Sequence, residues 1–405
     1  MNDNLVCPNC DTAGMQPFYA VDNVPVHSVL LMHSREQALT YPTGKITLAA
    51  CEQCGFISNV DFDASLHEYS LQYEATQAYS PTFNKFHRNL AQRLIDTYDL
   101  HNKEVIEIGC GMGEFLIMLC ELGPNRGVGF DPAYDPDRIQ SPVKERIEFV
   151  QDFYSEKYTS YDGDFIVCKM TLEHIPDTAV FLQTVRRSIG DRFESIVFFQ
   201  IPNGSYVMRD VAFWDVYYEH CSYFNLGSLS YLFETNGFEV LNLASEYDDQ
   251  YIMVEARPLP QDKQHQEPTA KTKALIADLK ADVAYFKAQY PLRRQNWLTK
   301  LAEIRANGQK AVIWGGGSKG VAFLTGLGVQ DEIGYAVDIN PLKHGTFMAG
   351  TGHEIVGPEF LRSYQPDVVI VMNPIYCAEI QRDLERLGLS AEMLTVDLQP
   401  VAQRI

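Results

Sequence analysis

Short apolar runs alternate with helical patterns through the middle of this 405-residue chain, and this alternation constrains its fold more than any other feature. The first apolar runs are VIEIG at 105–109, GVGFD at 127–131, IEFVQD at 147–152 and DFIVCKM at 164–170. Strands that alternate with helices form a parallel sheet with helices on its faces. Two later runs, SIVFFQIP at 195–202 and YIMVEARP at 251–258, extend the predicted sheet to six or seven strands. The sequence therefore predicts a Rossmann-like α/β domain here.

We predict three domains, because the chain is longer than one ordinary domain. The proline-rich segment PLPQDKQHQEP at 258–268 follows the central sheet and predicts a linker. Beyond it, a second strand–turn–helix unit opens at AVIWGGGSKGVAFL, and the runs IGYAVDIN and PDVVIVMN supply further strands. We therefore expect a small N-terminal domain at 1–67, a central α/β domain at 68–257 and a second Rossmann-like α/β domain at 270–405.

Four cysteines near the N-terminus form two Cys-x-x-Cys pairs, Cys7 with Cys10 and Cys51 with Cys54. Four thiolates in two such pairs are the ligand set of a closed, tetrahedral zinc site. The alternative is a set of ordinary buried cysteines, but two pairs at this spacing rarely coincide. We predict a structural zinc ion that holds the N-terminal fold together and takes no part in chemistry.

The chain is strongly acidic, with a formal net charge of −20 at pH 7. An acidic surface repels phosphate backbones and anionic lipid headgroups, so we expect neither nucleic acid nor a membrane as a partner. No apolar run approaches the ~20 residues that span a bilayer, and the start MNDNLVCPNC lacks the features of a signal peptide. We expect a cytoplasmic protein that acts on a small molecule, and the sequence leaves the oligomeric state open.

A glycine-rich turn follows the first strand of the central domain. It reads Glu107-Ile-Gly109-Cys-Gly111-Met-Gly113, and glycines in this position let the backbone approach a ligand at the carboxyl end of the strand. Glu107 disfavours a pyrophosphate and suits the ammonium or sulfonium group of S-adenosylmethionine. We predict that Glu107 and the three glycines bind S-adenosylmethionine. A nicotinamide-dependent dehydrogenase of the same topology and a helix-capping turn without a ligand are the alternatives.

Two aspartates end the next two predicted strands. Asp131 lies eighteen residues after Gly113, where a carboxylate accepts hydrogen bonds from ribose hydroxyls. Asp152 ends the third strand, where its carboxylate is expected to accept from the adenine amino group while Phe153 stacks on the ring. This arrangement is typical of a class I methyltransferase.

Histidine and tyrosine side chains cluster after the fourth and fifth strands. His174 lies in MTLEHIPD, and Tyr217, Glu219 and His220 lie in YYEHCSY. Methylation of carbon requires a base that removes a proton beside a carbonyl and donors that stabilise the enolate oxygen. Histidine titrates near neutrality and a tyrosine hydroxyl donates, so these residues are candidate catalytic groups. The alternative is a histidine that is satisfied by its neighbour in a packed loop.

Two more tyrosines, Tyr73 and Tyr79, precede a predicted amphipathic helix from Ser80 to Leu100. Apolar residues recur there at intervals of three to four, and Pro81 suits the first turn of a helix. We expect Tyr73 and Tyr79 to form a lid over the crevice that holds the candidate base. Plain packing at the start of the helix is the alternative.

The glycine turn of the C-terminal domain reads WGGGSKG and, unlike the first, has no carboxylate ahead of it. It contains Lys319, and lysine with backbone N–H groups at the start of a helix suits a phosphate. Lys343 and His344 are expected to add positive charge to the same crevice. A nucleotide diphosphate or another phosphorylated substrate would then lie between the two α/β domains, unless this fold serves only for packing.

Together these motifs resemble those of the sugar C-methyltransferases, which make branched deoxysugars on nucleotide-linked precursors. The resemblance covers essentially the whole chain. It rests on the paired Cys-x-x-Cys motifs, the run ending in Ser-Pro-Thr-Phe, E-x-G-x-G-x-G, Leu-Glu-His-Ile, Tyr-x-Glu-His and the C-terminal glycine loop. It implies a zinc-binding N-terminal domain, an S-adenosylmethionine-dependent domain and a C-terminal C-methyltransferase domain.

The resemblance also implies roles for individual residues. His220 would remove the proton from the carbon beside a 4-keto group, and that carbon would then attack the cofactor methyl. The supporting groups would be Glu219, Tyr217, His174 and Tyr73. The chain departs from the family where His-Glu-His is replaced by Tyr218-Glu219-His220 and where Gly-Ala-Pro-Ala-Lys is replaced by Gly-Gly-Gly-Ser-Lys.

Three functions are therefore considered. The main hypothesis is a C-methyltransferase of a nucleotide-linked keto-deoxysugar. The second is an O- or C-methyltransferase of another phosphorylated or carboxylated metabolite, which the altered C-terminal loop favours. The third, from a different class, is a regulatory or scaffold module that binds S-adenosylmethionine without catalysis.

Overall fold

The structure is a computed structural model, which describes residues 5–66, 72–138, 141–264, 267–329 and 331–398. Within these ranges the chain forms three β-sheets with flanking helices, so the predicted α/β fold class is confirmed. The predicted boundary between residues 67 and 68 lies outside the described residues. The limits of the three predicted domains stay predictions.

The N-terminal sheet contains a strand from the middle of the chain. Its strands are β1 Gln16–Pro25, β2 Thr43–Ala50, β3 Ile57–Asn59 and β9 Ser222–Tyr223. They lie in the order β1-β2-β3-β9, and each neighbouring pair is antiparallel. A short helix, α1 Arg35–Thr40, connects β1 and β2. Because β9 directly follows the segment with the candidate base, this sheet holds that segment against the N-terminal residues.

The central sheet has seven strands and is Rossmann-like, as predicted. Its strands are β4 Glu104–Ile108, β5 Arg126–Phe130, β6 Ile147–Val150, β7 Phe165–Lys169, β8 Ile196–Pro202, β10 Phe238–Glu246 and β11 Tyr251–Pro258. They lie in the order β10-β11-β8-β7-β4-β5-β6, in which β11 is antiparallel to both of its neighbours. The pairs from β8 to β6 are parallel. The carboxyl ends of these parallel strands therefore meet at one edge.

Helices cover the central sheet, and the one predicted ahead of β4 is present. These helices are α2 Pro81–Tyr98, α3 Glu114–Leu122, α4 Thr178–Ile189, α5 Gly204–Arg209 and α6 Leu226–Thr235. Helix α2 begins where the sequence indicates, because the Ser80 hydroxyl accepts from the Phe83 N–H at 3.2 Å and Pro81 occupies the first turn. Its buried face includes Leu90 and Leu94, which confirms the predicted amphipathic pattern.

The C-terminal sheet is entirely parallel and forms the predicted second Rossmann-like unit. Its strands are β12 Ala311–Trp314, β13 Tyr335–Val337, β14 Ile355–Val356, β15 Val368–Val371 and β16 Glu392–Thr395, in the order β14-β13-β12-β15-β16. The remaining helices are α7 Ala270–Ala277, α8 Leu279–Ala306, α9 Ser318–Leu327, α10 Leu361–Tyr364 and α11 Cys377–Leu387. Among the described helices, none combines the length and apolar character that crossing a bilayer requires.

Helix α8 joins the N-terminal sheet to the C-terminal sheet. The ring of Tyr19 in β1 packs against Phe286 and Tyr290 of α8, with centroids 5.5 and 4.9 Å apart. On the same helix Trp297 is fully buried, and its indole N–H donates to the Val396 carbonyl at 2.7 Å. Buried aromatic residues of this size each stabilise a fold by roughly 2–3 kcal/mol. One hydrophobic cluster therefore fixes the two sheets against each other.

Candidate active site and cysteine cluster

The four predicted metal-ligating cysteines converge at one point. The Sγ atoms of Cys7 and Cys54, and those of Cys10 and Cys51, are 3.6 Å apart, and all four lie within 4.8 Å of one another. Zn–S bonds of ~2.3 Å at tetrahedral angles place thiolates roughly 3.8 Å apart. The four sulfurs therefore fit a closed zinc site. Asn9 donates to Cys54 Sγ at 3.6 Å, and such contacts orient metal ligands.

This cysteine cluster packs against the central sheet and its helices. The Asn9 side chain also donates to the Ser228 carbonyl of α6 at 3.3 Å. Cys7, Cys51 and Cys54 belong to a hydrophobic cluster that they share with strands of the central sheet. The four thiols do not line the large cavity described next. The geometry therefore favours a structural role.

A cavity of about 740 Å³ lies between the central and C-terminal sheets. Three segments line it: the first glycine loop (residues 109–113), the second glycine loop (residues 315–319) and the connecting segment (residues 72–80) ahead of α2. The first loop follows β4 and the second follows β12. Ligands that lie on the two loops would share one enclosed space.

The first glycine loop requires glycine at two positions. Gly109 has a φ of +69°, and a Cβ there would lie 2.0 Å from Thr171 Oγ1. Gly113 has a φ of +82°, and a Cβ there would lie 2.5 Å from the Phe149 ring. Both backbone angles lie in the left-handed region, which glycine adopts without steric cost. The loop therefore follows the end of β4 closely and exposes its backbone to the cavity.

Glu107 supplies a buried acceptor to the cavity wall. It is 2% exposed, and its Oε2 has no hydrogen-bond partner among the described residues. Burial raises the pKa of Glu107 to about 8, an effect that nearby Lys169 opposes. The Lys169 ammonium donates to Gln200 Oε1 and lies 4.8 Å from the centre of the Phe115 ring. An unsatisfied buried carboxyl oxygen of this kind fits a cationic donor on a ligand.

Asp131 directly follows β5 and faces the first glycine loop. Its carboxylate accepts from the N–H of Gly111 and the N–H of Ala133, both at 2.8 Å. Burial raises the pKa of Asp131, and these two backbone hydrogen bonds lower it. Each carboxylate oxygen has two lone pairs, so both retain acceptor capacity for ligand hydroxyls.

Asp152 and Phe153 border the same cavity beyond the end of β6. The Asp152 carboxylate accepts from the Tyr158 hydroxyl at 2.6 Å and from the Lys157 ammonium. The hydrogen bond from Lys157, followed by that from Tyr158, lowers the pKa of Asp152 to about 2. Phe153 is exposed and lines the cavity. Both residues therefore lie at the cavity, and the Asp152 carboxylate is already bound to two neighbours. Their contact with adenine stays a prediction.

The candidate base lies in a compact cluster of rings. His220 is buried, and its ring centroid is 4.1 Å from that of Tyr217 and 4.9 Å from that of His174. His174 Nδ1 lies 2.9 Å from the Glu219 carbonyl oxygen, and because a carbonyl can only accept, Nδ1 carries the proton. Burial raises the pKa of Tyr217, so its hydroxyl stays neutral and remains a donor. The structure therefore brings the predicted histidines and tyrosine together at the cavity.

The two carboxyl groups near His220 have different neighbours. Glu219 Oε1 accepts from the Ser28 N–H at 2.5 Å and from the Ser28 hydroxyl at 2.7 Å. Glu173 Oε1 lies 4.0 Å from His220 Nε2. The sequence reasoning did not single out Glu173, although it directly precedes His174 in Leu-Glu-His-Ile. Its place next to a candidate catalytic histidine at the end of a strand would have been enough to identify Glu173 as a candidate.

The connecting segment carries both predicted lid tyrosines to the cavity. Tyr73 forms a β-bridge with Leu30 of the N-terminal domain, and Tyr79 is partly exposed. Between them, Gln77 Oε1 accepts from the Tyr376 hydroxyl at 2.9 Å. The segment is therefore bound at one end to N-terminal residues and in its middle to the C-terminal unit. Its role as a lid stays a prediction.

Lys319 of the second glycine loop is bound to the central unit. Its Nζ donates to Asp215 Oδ2 at 2.8 Å and to Gln250 Oε1 at 3.1 Å. The side chain lines the cavity and remains partly exposed. The predicted cation is therefore at the cavity, and Asp215 partly neutralises its charge.

A second lysine, Lys343, lies buried beside the same loop. Its Nζ is 3.3 Å from Asp338 Oδ2, and this oxygen also accepts from the Gly316 N–H at 3.0 Å. His344 Nε2 lies 2.8 Å from the Asp338 carbonyl. Lys343 lines the cavity and His344 does not. Of the two predicted additional cations, only Lys343 is in a position to contact a ligand there.

Comparison with known families identifies both α/β units. Residues 83–243 match the family described as "Methyltransferase domain", and residues 257–391 match the "C-methyltransferase C-terminal domain". The first match contains the first glycine loop and the histidine cluster. The second contains the second glycine loop.

Similar individual proteins are methyltransferases or related enzymes. The C-methyltransferase NovU of Streptomyces niveus is 25% identical over 291 residues, which span 68% of this chain and 67% of that protein. A tRNA U34 carboxymethyltransferase of Nautilia profundicola is 27% identical over 109 residues, 24% of this chain and 35% of that protein. The solved magnesium protoporphyrin IX methyltransferase of Synechocystis, with bound SAH, has a TM-score of 0.35 and 14% identity, and the match covers 44% of this chain and 84% of that one.

This protein is a methyltransferase that uses S-adenosylmethionine. Three findings define the class: the Rossmann-like sheet with one reversed strand, the glycine loop preceded by a buried glutamate, and the match to the methyltransferase domain family. The predicted enzyme class is therefore confirmed, and the nicotinamide-dependent dehydrogenase is set aside. The chain combines a region that matches the methyltransferase domain family with a region that matches the C-methyltransferase C-terminal domain.

Proposed function

We propose that this enzyme methylates a carbon beside the ketone of a deoxysugar that is linked to a nucleotide. The observation that carries the proposal is the shared cavity, which is lined by both glycine loops and by His220. A methyl donor on the first loop and a phosphorylated acceptor on the second would meet at this histidine. The similarity to a C-methyltransferase over two thirds of the chain supports transfer to carbon.

The first glycine loop would hold the cofactor. S-adenosylmethionine supplies a methyl group on a sulfonium centre that is open to attack by a nucleophile. Glu107, whose Oε2 has no partner among the described residues, would accept from its ammonium group. Asp131 would accept from the ribose hydroxyls. The remaining cofactor contacts would come from Gly109, Gly111, Gly113, Asp152 and Phe153.

His220 would act as the general base. Its imidazole would take a proton from the carbon beside the ketone, and the electron pair of that C–H bond would stay on the carbon that attacks the methyl group. The neutral hydroxyls of Tyr217 and Tyr73 would donate to the enolate oxygen, while His174 and Glu219 keep the segment in place through their hydrogen bond. A positioned base contributes roughly 10²–10⁴-fold to such a rate.

The second glycine loop would hold the acceptor's phosphates. The ammonium groups of Lys319 and Lys343 each have three N–H donors, so each retains donors beyond its carboxylate partner. The N-terminus of α9 begins within this loop at Ser318 and adds partial positive charge. A diphosphate between nucleoside and sugar matches this charge. It would lie at the far end of the cavity from the methyl donor.

We also propose that the cysteine cluster binds one structural zinc ion. The S···S distances support this, as does the Asn9 hydrogen bond to Cys54. Binding would connect the N-terminal residues to the central sheet. Elemental analysis of the purified protein should find about one zinc per chain, and Cys54→Ser should lose both the metal and several degrees of Tm. Retention of stoichiometric zinc by this variant would contradict the assignment.

The function is tested by incubating the enzyme with methyl-¹³C-labelled S-adenosylmethionine and a panel of nucleotide-linked 4-keto-deoxysugars. A new carbon–methyl signal in the NMR spectrum of one sugar is the expected result. His220→Asn should lower the methylation rate by roughly a hundredfold or more while the cofactor affinity stays close to that of the wild type. An unchanged rate would show that His220 is not the base.

The panel should also contain phosphorylated and carboxylated metabolites without a keto-sugar. The second glycine loop differs from the familiar family sequence, and Asp215 partly neutralises its lysine. Methylation of such a metabolite, at oxygen or carbon, with every keto-sugar unreacted would favour the second hypothesis. Cofactor binding without any methylated product would favour the non-catalytic module.

A further inference from the structure

We propose that Glu173, and not Glu219, is the positioning residue for the His220 imidazole. The proposal rests on the proposed role of His220 as the base. It adds a carboxyl partner that supports the imidazolium formed when His220 takes the substrate proton.

The geometry places the Glu173 carboxyl directly against the ring. Glu173 lies in the 3₁₀ turn that follows β7, and its Oε1 is 4.0 Å from His220 Nε2. One side-chain nitrogen or oxygen atom from each of Glu173, His174 and His220 lies within 4.8 Å of the others. The separation of 4.0 Å is too long for a hydrogen bond and short enough for an ion pair. A change of side-chain torsion would close it when the ring gains a proton.

Glu219 is equally buried, but its carboxyl faces Ser28 and His27, whose Nδ1 lies 3.8 Å from Glu219 Oε1. Its Oε2, like that of Glu173, has no hydrogen-bond partner among the described residues. Its Oε1 accepts two hydrogen bonds from Ser28, and the Ser28 hydroxyl lies 2.8 Å from that of Ser318 at the second glycine loop. The Glu219 backbone carbonyl, and not its side chain, contacts His174. Glu219 therefore links the N-terminal segment to the C-terminal unit. Glu173 and Glu219 are thus similarly buried, but only the Glu173 carboxyl is found facing the His220 imidazole, so Glu219 serves as the control for Glu173.

The surroundings of Glu173 make its charge dependent on His220. Its Oε2 has no hydrogen-bond partner among the described residues, and burial raises the pKa of Glu173 to about 8. Lys169, at the end of β7, opposes this shift. The other titratable groups close enough to interact with Glu173 are His174, Cys168, Tyr217, Cys221, Tyr73 and Tyr251. An imidazolium at His220 would supply the buried carboxylate with a counter-charge.

The charge balance gives the direction of the pH dependence. With Glu173 ionised and His220 neutral, the pair has a charge of −1 before proton transfer and is neutral after it, which suits a buried site. With Glu173 protonated, the same transfer would create an uncompensated positive charge. Proton abstraction should therefore speed up as pH rises through the pKa of Glu173, which burial raises to about 8.

The first test needs neither cofactor nor substrate. The whole protein, labelled with ¹³C at the histidine Cε1 positions, is titrated by NMR, and His220→Asn identifies the His220 signal among the ten histidines. In the wild type this signal should show an inflection near pH 8. Glu173→Gln should remove the inflection or move it down by about one pH unit, and Glu219→Gln should keep it. An unchanged titration in Glu173→Gln, or loss of the inflection only in Glu219→Gln, would overturn the proposal.

A kinetic measurement separates this proposal from the proposed function. Glu173→Gln should lower the methylation rate roughly tenfold to a hundredfold and move the rising limb of the pH profile to lower pH, and Glu173→Asp should restore part of the rate. If His220→Asn abolishes methylation but Glu173→Gln has the wild-type rate and profile, the base assignment stands and the positioning role is wrong. If His220→Asn leaves the rate unchanged, the proposed function itself is wrong, while the NMR result still decides whether Glu173 and His220 form a pair.

Discussion

The two glycine loops are built alike, but the ionisable side chains beside them differ. Each follows the first strand of a parallel α/β unit, and in each a glycine N–H donates to an aspartate at the end of the next strand. The Gly111 N–H donates to Asp131 at 2.8 Å, and the Gly316 N–H donates to Asp338 at 3.0 Å. The backbone arrangement of a glycine loop bound to the following aspartate, which we call the cradle, is therefore the same in both units.

The side chains around the two cradles differ. Glu107 is buried next to the first loop, whereas Lys319 lies within the second and Lys343 is buried beside it. The fold thus supplies a place where a ligand can approach the backbone, and the neighbouring charges select which ligand binds there. Under the proposed function, the same topology would bind a cationic methyl donor at one glycine loop and an anionic acceptor at the other, and both loops line one cavity.

The largest expected effect comes from adding a methyl group to the first cradle. In Gly109→Ala the new Cβ would lie 2.0 Å from Thr171 Oγ1 at a positive φ, so the loop must move. We expect the affinity for S-adenosylmethionine, measured by calorimetry, to fall at least about a hundredfold. Gly388→Ala is the matched control, because its φ is also positive but nothing lies within 4 Å of the new Cβ. Equal losses in both variants would contradict a specific role for the first loop.

Removing the negative charge from the first loop should have the next largest effect. Glu107→Gln keeps the shape of the side chain but loses a charge-assisted hydrogen bond, which contributes about 1.5–3 kcal/mol. The dissociation constant for S-adenosylmethionine should rise roughly tenfold to a hundredfold. Binding of UDP and dTDP, measured in parallel, should not change. A similar loss for the nucleotides would mean that the two loops do not separate the ligands by charge.

The complementary change at the second loop should have a smaller effect. Lys343→Met keeps the length of the buried side chain and removes its charge, so binding of UDP or dTDP should weaken about tenfold while cofactor binding is retained. Lys319→Met should weaken nucleotide binding less, because this lysine is more exposed than Lys343 and solvent screens its charge. If neither variant alters nucleotide binding, the second loop is not the phosphate site.

The smallest expected effect is the release of a proton from Glu107 when the cofactor binds. Burial raises the pKa of Glu107 to about 8 in the cofactor-free protein, so this carboxyl is mostly protonated at pH 7. A cationic ligand binds the ionised form, hence binding should release part of one proton, and affinity should rise as pH increases from 6 toward 8. Calorimetry in buffers of different ionisation enthalpy measures this release. Glu107→Gln should abolish it, and an identical release in that variant would assign the proton to another group.

Much of the fold was predictable from local patterns. Pro81 and the apolar spacing from Ser80 to Leu100 predicted α2 correctly, because nearby residues decide where a helix begins and which of its faces is apolar. The two Cys-x-x-Cys pairs likewise predicted a convergent cluster, since each pair is a short local turn. The glycine spacing after β4 predicted where the backbone bends at a strand end.

Local sequence patterns did not predict which carboxyl group lies near the imidazole of His220. The family resemblance implied Glu219 as a supporting group of His220, but the Glu219 carboxylate accepts from Ser28. Glu173 reaches the imidazole because β7 ends next to the segment that precedes β9. Adjacent residues in an irregular segment point in different directions, so sequence proximity does not show which side chains meet.

Residue identity and short-range backbone preferences were enough to predict the α/β class, the cysteine set, the positions of the two glycine loops and the ionisable side chains next to them. The folded arrangement was needed to show that both loops line one cavity and that Glu173 lies near His220. It also decided that β9 joins the N-terminal sheet. These features arise from packing between segments distant in the chain, and such packing is set by how all the buried surfaces fit together and not by any one local pattern.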